Sequence, residues 1–194
     1  MEESSRFLSL SGLSGLFAGL IALIGGAVAC FAILKGNIML SSEYFTGMNA
    51  EDVSIMRFWL IIDSMAVLIL AIGVSIFFSY RKSISQGLKI WTPVSKRMLI
   101  NVLVPLVTGG IFIIILYNEN LLQLIIPSML VFYGLALVNA GKFTNNDVFI
   151  LGLIEILIGL VSAVFTDFGL IFWCLGFGIL HIIYGLIMYR KYEK

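Results

Sequence analysis

Charge is scarce in this chain. Lys and Arg number 12, Asp and Glu 11, and histidine occurs once in 194 residues. So few polar groups exclude a water-soluble fold, because 60% hydrophobic residues and a mean hydropathy of +1.08 exceed what one aqueous core can hide. A net charge of +1 gives no whole-molecule attraction for nucleic acid, and none is expected as a partner. The two cysteines, Cys30 and Cys174, come without paired Cys/His spacing, so no metal site and no cofactor are expected. A bridge between them needs Cα atoms within about 7 Å, which spacing leaves open.

What remains is long apolar runs. A bilayer core about 30 Å thick takes roughly 20 residues of helix at about 1.5 Å each, so the intervals between charges mark the spans. Six runs pass: 8–34, 57–80, 98–117, 121–140, 148–166 and 168–189. They predict an all-α polytopic membrane protein, one transmembrane domain over 1–194, with six helices in three antiparallel hairpins. "AVAC" at 27–30 resembles a lipoprotein cleavage site, but "FAIL" continues the apolar run, so the first helix is read as an uncleaved anchor.

Basic residues are retained on the cytoplasmic side of short loops. With both termini cytoplasmic, Arg6, Arg81, Lys82, Lys89, Lys96, Arg97, Lys142, Arg190, Lys191 and Lys194 lie inside, and only Lys35 and Arg57 lie outside. This places the chain in the cell (inner) membrane, with the lipid bilayer as its first partner. Asn49 followed by Asp52 reads as a helix start in the outer loop. The inner segment 81–97 pairs Trp91 with cations and carries Pro93 as a breaker, as expected of a connector resting on headgroups. Pro105, Gly109 and Gly110 are expected to bend the third helix.

Small residues crowd the first helix. Ser14, Ala18, Ala22, Gly26 and Cys30 follow at steps of four, beside a second row of Ser11, Gly15 and Gly19. Such rows let helix backbones approach where lipid supplies no hydrophobic drive. The reading is a helix-packing seam, open to a partner helix or a second copy of the chain.

Two resemblances touch this stretch. Gly12-Leu13-Ser14-Gly15 resembles the Gly-x-Ser-Gly of rhomboid proteases, which would make Ser14 a nucleophile and His181 its base. That likeness covers four residues, and rhomboids carry the serine on a later helix near the outer face, so no catalytic residue is assigned. In size, helix number and the Ala-x-x-x-Ala at Ala18 and Ala22, the chain resembles energy-coupling transporter S-components, without their substrate signatures.

Ionisable residues inside a span are expensive and mark candidate sites. Asp63, Glu155 and His181 qualify. Glu155 and His181 flank the turn at Asp167 almost symmetrically, each about 12–14 Å from the cytoplasmic boundary. Gly152 and Gly159 surround Glu155 as Gly178 and Gly185 surround His181, so the two notches are expected to meet. A carboxylate beside an imidazole there acts as a polar clip, or shares a proton with Tyr184 and Tyr133 as accessory hydroxyls. Tyr133 and Tyr184 also sit in a faint echo, "VFYGLALV" and "IIYGLIMY". Asp63, nearer the outer surface, is expected to pair with Arg57 or cap an outer polar cluster. The sequence therefore reads as a non-enzymatic bundle with a transport or accessory role, alternatively as a proton-linked small-molecule transporter or substrate-binding membrane subunit, and last as an intramembrane hydrolase.

Overall fold

The computed structural model describes residues 12–36, 47–85, 87 and 91–192. It is all-helical, with no strand among the described residues. Six helices are long and apolar enough to cross a membrane: α1 (Gly12–Ile33), α2 (Ala50–Ser85), α3 (Pro93–Asn118), α4 (Leu122–Gly141), α5 (Asn146–Val164) and α6 (Thr166–Lys191). The start of the first expected span, 8–11, and Ser11 with it, lie outside the described residues.

Local chemistry sets the ends. Asn49 Oδ1 accepts from the Asp52 amide at 2.8 Å and its Nδ2 donates to Asp52 Oδ2 at 2.8 Å, so α2 starts seven residues before the 57 expected from charge spacing. Pro93 corrects its expected role: it opens α3 rather than breaking a connector. Thr92 caps that helix by accepting from Ser95 N at 3.1 Å, and a first-turn proline has no amide to leave unpaired. Between α3 and α4, Asn120 takes a φ of 57°, which asparagine tolerates better than most residues.

Glycines decide which helices touch. On α4 and α5, a methyl added at Gly134 would lie 2.7 Å from the Gly152 carbonyl oxygen, and one at Gly159 would lie 2.7 Å from Val131 Cγ2. On α1 and α6, Gly12 faces the backbone of Gly185 and Tyr189, Gly19 faces Gly178 and Ile182, and Gly185 faces Leu16. The expected meeting of the two glycine notches is thus corrected. Gly152 and Gly159 receive α4, while Gly178 and Gly185 receive α1. A helix has several sides, and glycines on the side of an ionisable residue need not admit the helix that carries its partner.

The α1 seam shifts in the same way. Gly12, Gly15 and Gly19 contact α6 closely, and Gly26 abuts Cys174 Sγ. Ala22 instead packs in a cluster with Val67 and Trp173, while Ser14 and Ala18 border a cavity. Elsewhere Gly109 of α3 admits Phe132 of α4, and Phe17 of α1 stacks on Phe78 of α2 at 5.2 Å.

One backbone irregularity matters for the site. After Trp173, α6 widens into a π-helical stretch, Cys174–Leu180, and returns to α-helix at His181. Such stretches, with backbone bonds spanning five residues, are rare and concentrate at functional positions. A second one, Ala29–Ile33, ends α1, and Cys30 and Ile33 pack in one cluster with Leu170 and Cys174.

Candidate functional site

Three helices converge on one buried polar group. His181 of α6 holds Tyr133 of α4 through Nε2, 2.7 Å from the phenol oxygen, and holds its own helix through Nδ1, 3.0 Å from the Gly176 carbonyl. A carbonyl can only accept, so Nδ1 carries the hydrogen, and in the neutral ring Nε2 accepts from the Tyr133 hydroxyl. Glu155 of α5 lies below the ring, with Oε1 3.5 Å from Nδ1. That distance is attractive for a charge pair but too long for a good hydrogen bond.

Glu155 is the anomalous member. Its side chain is 0% exposed, and neither carboxyl oxygen has a hydrogen-bond partner among the described residues. Leaving a lone ionised carboxylate in such surroundings costs several kcal/mol. Neutrality is restored by a proton on the carboxyl group or by a charged imidazole opposite. Gly176 makes the space, since a methyl there would lie 2.5 Å from Leu130 Cδ2 and 2.6 Å from Glu155 Oε2. Phe177 stacks beside both rings, 5.1 Å from Tyr133 and 6.4 Å from His181.

On its other side the group borders a cavity of about 80 Å³. Ser14 of α1, Ser75 of α2, Tyr133 of α4, and His181 and Tyr184 of α6 supply its polar lining. Ser14 and His181 therefore share a cavity. Both imidazole nitrogens, however, already engage Tyr133 and Gly176, so neither is placed to take a proton from Ser14.

Asp63 lies apart, on α2 at the α1 boundary. Its Oδ2 sits 3.7 Å from where a methyl on Gly25 would be, and it lines a groove of about 580 Å³ with Trp59 and Lys35. The expected pairing with Arg57 is corrected: Arg57 Nη1 donates to Asn120 Oδ1 at 3.3 Å, and no ion pair reaches Asp63 among the described residues. Six residues of α-helix turn the two side chains about 120° apart. Cys30 and Cys174 are both free. Among the described residues no three His, Cys, Asp or Glu side chains gather as a metal site.

Gly176 and Ser162, both buried, escape sequence reasoning. Gly176 lies five residues before His181, which on an α-helix is about 140° away; only the π stretch brings its carbonyl under the ring. Ser162 is fully buried with its Oγ unpartnered, and its signal was present, since seven residues from Glu155 is two turns along one face. Comparison with protein-family models, curated proteins and solved structures finds no match. The class is therefore defined by architecture alone: a bundle of six membrane-length apolar helices around a buried polar group.

Proposed function

We propose that this chain is a non-enzymatic protein of the cell membrane, threaded as three antiparallel hairpins with both termini cytoplasmic. In this reading Glu155, with His181 and Tyr133, binds and releases a proton in the service of small-solute transport or of an accessory role in it. The threading rests on the ten-to-two distribution of Lys and Arg. The proton site rests on one observation, the full burial of Glu155 with both oxygens free of hydrogen bonds.

A structural clip accounts for Tyr133 and His181, whose contact joins α4 to α6. It accounts less well for Glu155, whose attachment is the 3.5 Å approach to His181 Nδ1 and whose carboxyl group, without hydrogen bonds, carries the desolvation cost. Tyr133 and Tyr184 are the other titratable groups facing the pair, and α1 and α2 bring serines. A proton entering here is thus shared among Glu155, His181 and these two phenols.

Infrared difference spectroscopy of the reconstituted protein tests the reading. The carbonyl stretch of a protonated carboxylic acid should decline as pH is raised through the range over which the protein stays folded, and Glu155→Gln should abolish it. A spectrum flat across that range, or a band that survives Glu155→Gln, rejects the proton site.

A further inference from the structure

We infer that the cavity beside His181 is a hydrated vestibule, through which the Glu155 group exchanges protons with one membrane face only. That face is the one where α1 begins and α6 ends. The inference rests on the proton-site reading and adds the route to it.

Chemistry and size come first. Polar cavities hold water and apolar ones stay dry, and a water occupies about 30 Å³ in the liquid. A cavity of about 80 Å³ therefore takes two or three waters. Ser14, Ser75, Tyr133, His181 and Tyr184 line it among apolar neighbours, and these polar side chains are the partners that ordered water requires. Tyr133 joins the two parts, because it lines the cavity and bonds His181 Nε2.

Position gives the direction. Ser14 lies two residues into the described part of α1, and Val148 two residues into α5; both line the cavity. At the same end Gly12 packs against Tyr189, and Lys191 Nζ meets Asp147 Oδ2 at 2.9 Å, placing a charged pair beside the entrance. Toward the other face the lining changes. Ala22, Val67 and Trp173 pack with Ile126 and Phe177, and beyond them Ala29, Leu34, Met56 and Leu170 form a second apolar cluster. Leu130, with no exposed surface, fills the space beside Gly159 and Gly176. Water has polar partners on one side of the pair and apolar clusters on the other.

Site-directed labelling in oriented vesicles tests this. In a Cys30→Ala/Cys174→Ala background, Ser75→Cys and Ala18→Cys should react with a membrane-impermeant thiosulfonate from the α1-start face, while Ala22→Cys should react from neither. Reaction of Ser75→Cys from the opposite face, reaction of Ala22→Cys, or silence at both cavity positions overturns the vestibule. In parallel, Ala18→Leu, with Ser75→Leu as a second filling variant, should slow deuterium exchange of the Glu155 carboxyl by roughly tenfold or more. An unchanged exchange rate in both folded variants also overturns it. A missing carboxyl band removes the proton site while the labelling pattern still decides the route, so the two failures remain distinguishable.

Discussion

The six helices divide by how they meet their neighbours. In α1, α5 and α6, 33% of the most apolar window is buried within the chain, against 6% in α2 and 17% in α3. All are strongly apolar, so hydropathy does not separate them. Glycine placement does. Those of α1, α4, α5 and α6 face backbone or side chains of another helix, whereas Gly73 of α2 and Gly110 of α3 have nothing within 4 Å and Gly109 of α3 meets a side chain, Phe132, rather than backbone. In lipid, apolar side chains qualify a helix for the membrane, and small residues choose what it touches. The buried polar group lies inside the tightly packed set, where backbone approach leaves no room for lipid tails.

The contrast is broken most severely at the seams. Gly185→Leu and Gly152→Leu force a side chain into the backbone of Leu16 and of Gly134 and Val138, and each should cost about 3 kcal/mol or more. Gly73→Leu and Gly110→Leu should cost less than about 0.5 kcal/mol. Thermal unfolding in detergent measures both sets, and equal losses would erase the distinction. Next comes Gly176→Ala, which pushes a methyl onto Leu130 and the Glu155 carboxyl at an expected cost of about 1–3 kcal/mol. Combining it with Glu155→Ala should cost less than the sum of the two, a coupling that a double-mutant cycle reads directly.

Smaller still is Tyr133→Phe, which removes the hydroxyl on His181 Nε2. Interhelical hydrogen bonds in membranes average about 0.6 kcal/mol, so unfolding should shift modestly, and a loss above about 2 kcal/mol would reinstate the clip as the main role. The smallest effect is expected of Lys191→Met. Its partner Asp147 is reached across an exposed surface, and such pairs contribute about 0.2–1 kcal/mol.

Depth along the membrane is legible in the sequence, because charges bound the runs and helical rise is constant. Glu155 and His181 stand at nearly equal distances from Asp167, and the structure places them 3.5 Å apart. Rotation about the helix axis is far less legible. The glycines flanking each residue suggest one shared notch, yet they admit α4 and α1, and the room for Glu155 comes from Gly176. Asp63 and Arg57 fail for the same reason, being near in sequence but turned to different sides of α2. Capping at Asn49 is readable because it is local; Thr92 with Pro93 is equally local, but a proline near the headgroups reads as a stop as easily as a start.

The wide stretch Cys174–Leu180 carries a consequence for the whole of α6. It keeps both halves of one rod turned to α1, with Trp173 against Ala22 on one half and Gly185 against Leu16 on the other. With ordinary winding throughout, the steps from Trp173 to Gly185 would turn the final segment about 120° away from that direction. Either His181 would lose Tyr133, or the α1 glycines would lose their counterparts. The seven residues act as a phase adjuster, letting one rod serve a proton and a neighbour at once.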